Sequence, residues 1–172
     1  MNSQFLVIIR GAPASGKTTI AKRLRNFEGR VAWLKVDNFK DFFSDDALSE
    51  EQKYVDEAAV KTLEYLLDSG FSVVMEKIFY DPHIISVAMK VAVERNIKCK
   101  VFQIKCSLQT LLERDKSRPG IKEGCRKPLG EKLIKDLFTQ LENTFYQVAV
   151  PLDTEKLSID DCIDTIRQEI ED

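Results

Sequence analysis

The feature that most constrains this chain is an octapeptide that fits the pattern G-x-x-x-x-G-K-[ST] at every fixed position. It follows a short apolar run, Phe5 to Ile9, and precedes a segment of helical character, Thr19 to Leu24. A loop of this kind between a buried strand and a helix turns several backbone N–H groups toward one point, where they bind a phosphate group. We therefore predict a phosphate-binding loop formed by Gly11, Ala12, Pro13, Ala14, Ser15, Gly16, Lys17 and Thr18.

Two side chains of this loop carry polar groups suited to a nucleoside triphosphate. The Lys17 ammonium is a point charge for the β- and γ-phosphates, and the Thr18 hydroxyl is an oxygen ligand for Mg²⁺. Thr19, which follows them, completes the predicted nucleotide-binding set. The expected cofactors are a nucleoside triphosphate, taken to be ATP, and Mg²⁺.

Along the rest of the chain, apolar runs alternate with segments of helical period. Four more buried strands are predicted, at 31–36, 71–75, 99–104 and 148–152. Helical patterns lie between or after them, at 55–67, 84–92, 133–145 and 159–170. Strands separated by single helices favour an α/β fold with a parallel sheet and helices on both faces.

The charge and the cysteines limit the partners and the compartment. The 172 residues contain 26 Lys and Arg against 28 Asp and Glu, a net charge of −2, so a global electrostatic grip on nucleic acid is not expected. The four cysteines have no C-x-x-C spacing, which indicates free thiols in a reducing compartment. The first apolar run is too short for a signal peptide or a membrane span, so a cytoplasmic location without membrane contact is predicted.

Two carboxylates follow the second and third predicted strands. Ligands of parallel sheets bind outside the carboxyl ends of the strands, so Asp37 and Glu76 are expected to face the same crevice as the loop. Asp37 is suited either to accept a proton from a substrate hydroxyl or to cap a short helix at 37–43. Glu76 is suited to the Mg²⁺ shell, to substrate contact, or to a structural ion pair with Lys77 or Lys35.

Residues 114–130 interrupt the alternating pattern. The segment holds two prolines and three glycines among six Lys and Arg residues, a composition that excludes a long regular helix. We predict a mobile, positively charged lid there. Arginine binds the charge of a transferring phosphoryl group bidentately, and the candidates are Arg114, Arg118 and Arg126. The alternative is a solvated charged loop.

Asp153 and Thr154, which follow the fifth predicted strand, are expected to border the nucleotide base. Taken with the residues above, this arrangement resembles that of the small P-loop kinases, which include chloramphenicol phosphotransferase, zeta toxins and the kinase domain of polynucleotide kinase. The resemblance covers nearly the whole chain. It implies one domain over residues 1–172, a lid at about 114–130, and a five-stranded sheet of order 2-3-1-4-5. It also implies that Asp37 is the catalytic base and that the lid arginines contact the ATP phosphates. Lys40, where this group mostly has arginine, is implied to contact the acceptor or a phosphate.

Together these features predict an ATP- and Mg²⁺-dependent phosphotransferase acting on a hydroxyl group. The acceptor stays open among a polynucleotide 5′-hydroxyl, a nucleoside, a sugar nucleotide and an antibiotic-like alcohol. One alternative is a nucleotide-dependent switch, although the N-K-x-D and D-x-x-G sequences of GTPase switches are missing. The other is a protein that binds a nucleotide only to scaffold a partner.

Overall fold

The computed structural model describes residues 4–27, 29–43, 48–118, 127–144 and 146–171, with the side chains of 48–51 left out. Strands and helices alternate along them. The strands are β1 (Phe5–Gly11), β2 (Val31–Lys35), β3 (Ser72–Glu76), β4 (Lys98–Lys105) and β5 (Val150–Asp153). The helices are α1 (Lys17–Arg25), α2 (Leu48–Asp68), α3 (His83–Val93), α4 (Leu108–Lys116), α5 (Glu131–Glu142) and α6 (Ile159–Glu171), with a 3₁₀ helix at Val36–Phe42.

The five strands form one parallel sheet of order β2-β3-β1-β4-β5. This confirms the predicted fold class and strand order, and each predicted strand lies within two residues of its observed ends. Glu76, at the end of β3, lies opposite Ile9 of β1 and Lys35 of β2. The carboxyl ends of the three strands therefore meet at the edge where the phosphate-binding loop leaves β1.

Both faces of the sheet are buried, because successive side chains of β1 point to opposite sides. Leu6 and Ile8 belong to a core cluster shared with α2 and α3. Val7 and Ile9 belong to a second cluster shared with α1 and α6. All four side chains are fully buried, so the central strand is held rigidly beneath the loop that follows it. The described helices include none with the length and apolar run needed to cross a bilayer.

Helix α4 was not predicted, and it changes the picture of the basic segment. Arg114 and Lys116 lie in its last turn, so the first described residues of the predicted lid are helical. The side chain of Ser107 begins the helix by accepting a hydrogen bond from the Thr110 backbone N–H. Leu111 packs beneath the loop in a third apolar cluster with Ala12 and residues of α5. The part of the predicted lid at 119–126 lies outside the described residues.

The alternative interpretation of Asp37 as a helix cap is wrong in its detail. A short helix does follow β2, but it begins at Val36, and Lys35 occupies the capping position without a side-chain hydrogen bond. Asp37 lies inside the first turn of this 3₁₀ helix. Its carboxylate is therefore not needed as the cap and faces the end of the sheet.

Candidate active site

The phosphate-binding loop has the backbone geometry that an anion requires. Ala14 and Gly16 adopt the left-handed conformation, with φ of 63° and 102°, which turns consecutive N–H groups toward the same side. Gly11 must lack a side chain, because a Cβ there would lie 2.9 Å from the Ile104 carbonyl oxygen and 2.9 Å from Ser15 Oγ. Helix α1 begins at Lys17 with no acidic residue in its first turn, so its positive end is open to an anion.

Lys17 lies partly buried at the base of this loop. Its ammonium donates to the Ala12 carbonyl oxygen at 2.7 Å. Burial lowers the pKa of Lys17 to about 8, and the nearby carboxylates of Glu76 and Asp37 oppose that shift. A cation held with so little solvation is well placed to gain from a phosphate ligand, which would replace the lost water.

Thr18 and Glu76 meet at the mouth of the loop. The Thr18 hydroxyl donates to Glu76 Oε1 at 3.0 Å. Glu76 is only 3% exposed, and its Oε2 has no hydrogen-bond partner among the described residues. Burial raises the pKa of Glu76 above its usual range, with Lys17 the largest opposing influence. An orphaned carboxylate oxygen beside a hydroxyl suits a hard cation such as Mg²⁺, which takes few protein ligands and keeps phosphate and water in its shell.

The alternative role of Glu76 is a structural ion pair with Lys77 or Lys35. Lys77, one of its two suggested ion-pair partners, points instead toward α2 and binds the carboxylate of Asp56. Asp56 in turn accepts a hydrogen bond from Gln52 at 3.1 Å. Lys77 therefore fastens α2 to the end of β3, and Glu76 is left to face the loop. Burial raises the pKa of Glu76 and the charge of Lys35 opposes that rise, although no ion pair between the two is found within the described ranges.

Asp37 lies at the same edge of the sheet, in an ion pair with Lys40 at 2.8 Å. Its side chain is 19% exposed, so a ligand can reach it. The Asp37 carboxylate also influences the pKa values of Lys17, Glu76 and Tyr80. The structure thus brings Lys17, Glu76 and Asp37 together, as expected from their positions at strand ends, and it ties Lys40 to Asp37.

Tyr80 adds a phenol near the site, and the sequence alone does not show whether this side chain lies in the core or lines a pocket. Its ring packs with Ala14 and Ile78 against the apolar cluster beneath the loop, as a core residue would. Its hydroxyl, however, is buried without a hydrogen-bond partner among the described residues. Burial, and secondarily the charge of Asp37, raises the pKa of Tyr80. The phenol therefore remains a protonated donor next to the Asp37 carboxylate.

Arg114 holds the loop rather than projecting from a lid. Its Nη1 and Nη2 donate to the Thr154 hydroxyl and carbonyl, each at 2.9 Å. Thr154 in turn donates to the Ser15 carbonyl at 3.2 Å and lies near Lys105 O at 3.3 Å. Thr154 therefore ties the end of β5 to the phosphate-binding loop. Asp153 instead accepts from the Glu155 N–H and pairs with Lys156.

Arg118 and Arg126 are placed differently. Arg118 lies near the carboxylate of Asp115, with Nε 3.1 Å from Oδ1. Asp115 is 2% exposed, and its Oδ2 accepts from the backbone N–H groups of Leu129 and Gly130 at 2.9 and 3.0 Å. This buried carboxylate thus joins both described ends of the basic segment. Arg126 lies outside the described residues.

A cleft of about 610 Å³ opens in front of the loop. Lys17, Thr18 and Thr19 line it on the loop side, and Arg114 and Arg118 line it from α4 and the residues after it. Lys35 lines the side toward β2. The cleft is large enough for a triphosphate, and its lining is dominated by hydrogen-bond donors and positive charge. Ala12 and Ser15 are buried behind it, and Pro13 is also buried.

A parallel sheet of order 2-3-1-4-5 and a G-x-x-x-x-G-K-[ST] loop at the end of β1 define the P-loop NTPase fold. Among solved structures, the chain is similar to a sugar kinase from Janibacter sp. HTCC2649 (16% identity, TM-score 0.68, covering 98% of this chain and 95% of that one). It is also similar to a gluconokinase from Sinorhizobium meliloti 1021 (14% identity, TM-score 0.65, 99% and 92%). A third similar structure is the Pnkp1/Rnl/Hen1 RNA repair complex (18%, TM-score 0.64, 92% and 48%). At these identities the likeness shows the fold alone.

The family follows from the sequence itself. Residues 6–138 match the AAA_33 family model, described as an AAA domain, and the chain belongs to that family. A comparison with curated protein sequences finds no match. The fold is that of the small P-loop kinases that the sequence resembles, so the predicted resemblance is confirmed.

Proposed function

We propose that this protein transfers the γ-phosphate of ATP to a hydroxyl group of its acceptor, with Asp37 as the general base. The observation that carries the proposal is the meeting of Asp37, Glu76 and Lys17 at the carboxyl ends of β2, β3 and β1. A base, a metal-binding carboxylate and a phosphate-binding ammonium then lie within electrostatic reach of one another. Phosphoryl transfer needs little more than such positioning and charge stabilisation.

The residues fit a triphosphate with a bound Mg²⁺. The loop amides and Lys17 would bind the phosphates, and Thr18 with the unpartnered Oε2 of Glu76 would hold the metal. Mg²⁺, when bound, neutralises charge on the β- and γ-phosphate oxygens. The described residues contain no cluster of three or more His, Cys, Asp or Glu side chains that would cage a metal, which suits a metal held largely by phosphates and water.

In the reaction, Asp37 takes the proton of the acceptor hydroxyl as its oxygen bonds to the γ-phosphorus. The bond from that phosphorus to the β–γ bridging oxygen breaks, and ADP leaves with the electron pair. Lys40, paired with Asp37 at 2.8 Å, orients the carboxylate for this role. We also infer that the Tyr80 hydroxyl, a buried donor without a described partner, donates to the same acceptor oxygen.

The three arginines divide into different roles. Arg114 positions the loop, because its donors bind Thr154 and reach the Ser15 carbonyl. Arg114 also lines the cleft, where it adds positive charge near the phosphates. Arg118 lines the same cleft, and we assign it to the transferred phosphoryl group. Arg126 stays a candidate for that role on the sequence alone.

Turnover with and without acceptors tests the proposal. ADP release from Mg-ATP would be measured alone and with a 5′-hydroxyl oligonucleotide, nucleosides, nucleoside monophosphates, sugars, sugar nucleotides and antibiotic-like alcohols. Stimulation by one acceptor, with a phosphorylated product detected by mass spectrometry, supports the kinase. Slow ADP release that no acceptor changes would favour the switch or scaffold alternatives instead.

Asp37→Asn is the decisive variant. It should lower turnover by ~10²-fold or more, the scale of lost general-base catalysis, while ATP affinity stays within a few-fold of the original. Lys17→Ala is the matched contrast, since it should abolish tight triphosphate binding. The measurements are steady-state kinetics and calorimetric titration with a non-hydrolysable ATP analogue. Weakened ATP binding in Asp37→Asn with normal turnover would move Asp37 to the metal shell.

A further inference from the structure

The cleft in front of the loop is far more positive than the protein as a whole. Among the described residues that line it, six are cations and none is acidic, although the chain carries a net charge of −2. The six are Lys17, Lys22, Arg23, Lys35, Arg114 and Arg118. Like charges gathered in one cleft repel one another unless an anion lies between them, so the cleft is built for a strongly anionic occupant.

The triphosphate accounts for only part of this charge. Lys17 lies in the phosphate-binding loop, and Arg114 and Arg118 face it from α4 and the residues after it. Arg23 already has a partner, since its guanidinium lies 2.5 Å from Asp160. Lys22 and Lys35 remain, and the charge of Lys35 also acts on Glu76, opposite it in the sheet. No ion pair of either ammonium is found within the part of the chain that the structure describes.

Lys22 and Lys35 line the cleft from α1 and from the end of β2. Lys22 follows Thr18 by one helical turn on α1, so both side chains share one face of that helix. Lys35 is the last residue of β2, opposite Glu76 and two residues before Asp37. An acceptor whose hydroxyl reaches Asp37 therefore comes to the end of β2, where Lys35 lies.

The two lysines also converge on one aromatic ring. The Nζ atoms of Lys22 and Lys35 lie 6.0 and 5.9 Å from the centre of the Trp33 ring, and the Arg25 guanidinium carbon lies 5.7 Å from it. The ring face partly offsets the mutual repulsion of these cations. It holds them at the cleft without neutralising them, because a quadrupole carries no net charge.

We propose that the acceptor carries a phosphate group of its own, which Lys22 and Lys35 bind while its free hydroxyl faces Asp37. The inference rests on the proposed kinase function and names the class of its substrate. A nucleoside monophosphate, a sugar phosphate and an oligonucleotide with a free hydroxyl share this chemistry. Uncharged nucleosides, sugars and antibiotic-like alcohols do not have it and are poor acceptors.

Trp33 supplies a direct readout of binding, because it is the only tryptophan in the chain. An anion drawn to Lys22 and Lys35 shifts the charges over its ring and changes its fluorescence. The titration is made with Mg²⁺ and a saturating non-hydrolysable ATP analogue, so that phosphate sites of the loop are already filled. The probes are pairs in which only one member carries phosphate: ribose and ribose 5-phosphate, a nucleoside and its 3′-monophosphate, and a nucleoside and a 5′-hydroxyl trinucleotide.

The expected result is that the phosphate-bearing member of at least one pair binds about tenfold more tightly or better, the scale of a charge-assisted contact. Lys22→Gln and Lys35→Gln keep most of each side chain over Trp33 but remove its charge, and each should erase most of that preference. Arg25→Gln is the matched control, since Arg25 touches the same ring but lies outside the cleft lining. It should preserve the preference. Which pair shows the largest ratio identifies the source of the phosphate.

Two outcomes would overturn the inference. One is equal binding within every pair, and the other is a preference that Lys22→Gln and Lys35→Gln leave intact. Turnover measurements distinguish the proposed acceptor class from the proposed kinase activity. Efficient phosphorylation of an uncharged acceptor, dependent on Asp37, would refute the phosphate-bearing class and keep the kinase. Phosphate-selective binding without transfer to any acceptor would keep the anion site and refute the kinase.

Discussion

At the scale of single residues, Arg10 is a buried cation that needs several hydrogen-bond acceptors. It is 1% exposed near the end of β1, and its guanidinium donates to the Phe79 carbonyl at 3.0 Å and to Gln103 Oε1 at 3.0 Å. Phe79 has a φ of 55°, a left-handed conformation that is rare for an aromatic residue. Arg10 therefore holds the loop after β3 in a strained shape, directly before Tyr80.

Replacing Arg10 tests this account. Arg10→Met should lower the free energy of unfolding by about 3 kcal/mol, because the acceptors on Phe79, Gln103 and Thr144 would be left buried without a donor. Urea denaturation measures the loss. Lys132→Met, at an exposed position, controls for removal of a charge and should change stability by less than about 0.5 kcal/mol. A loss of under about 1 kcal/mol in Arg10→Met would mean that the network contributes little.

The contrast between Lys17 and Arg10 shows what the sequence could reveal. Lys17 was predicted because its glycines, its strand and its helix are all neighbours in the chain. Arg10 binds partners 69 and 93 positions away, and no local pattern announces them. An isolated arginine at the end of an apolar strand was the only signal. The pairing of Arg114 with Thr154, 40 positions apart, was hidden for the same reason.

At the scale of helices and strands, the apolar patterns predicted every strand, and helix α4 is the element they missed. Helix α4 has nine residues, and its last turn is as charged as the segment after it, so residues 114–116 fall in the predicted lid and 108–113 received no assignment. Ser107 and the spacing of Leu108, Leu111 and Leu112 were the available helix signals.

Hydrogen bonds also join the longer helices to one another. Arg95, after α3, binds the last residue of α2, Asp68, with two hydrogen bonds of 2.6 and 2.9 Å.

The hydrogen-bonded pair of Arg95 and Asp68 predicts that the stability of the fold depends on pH. The Arg95 hydrogen bond holds the pKa of Asp68 below its ordinary value, so the pair stabilises the fold at neutral pH. That contribution should shrink as pH falls below about 4 and vanish once Asp68 is protonated in the folded state. In Arg95→Gln the carboxyl should titrate in the ordinary range, as followed by NMR, and the stability difference from the parent should fade with acidification. Lys90→Gln, which breaks an exposed pair with Glu94, serves as control; unchanged titration of Asp68 in Arg95→Gln would contradict the assignment.

At the scale of the whole molecule, the sheet could be predicted almost completely. Every strand is an apolar run, and a parallel sheet covered on both faces needs no alternation that a sequence could disguise. The arrangement of charge across the cleft could not be predicted, because Lys22, Lys35 and Arg118 come from three separate elements. Composition showed only a nearly balanced charge. The charge of the cleft is therefore seen in the fold and not in the residue composition of the chain.

Ligand binding at this cleft should stabilise the entire domain. Mg-ATP analogue at 100 times its dissociation constant adds about 2.7 kcal/mol to the free energy of unfolding. For a chain of this size the melting temperature should rise by roughly 5 to 10 °C. Differential scanning calorimetry with Lys17→Ala should show almost no rise, and adenosine should have no comparable effect on the parent. An equal rise in Lys17→Ala would place the nucleotide elsewhere.

The carboxylate of Asp115 has a consequence for engineering the molecule. It holds the backbone of residues 14 and 15 positions further along the chain and pairs with Arg118, so the two ends of the intervening stretch are pinned together beneath the cleft. Once the ends are pinned, doubling the length between them costs only about 0.6 kcal/mol in chain entropy. Insertions between those two ends should therefore cost the fold little free energy of unfolding.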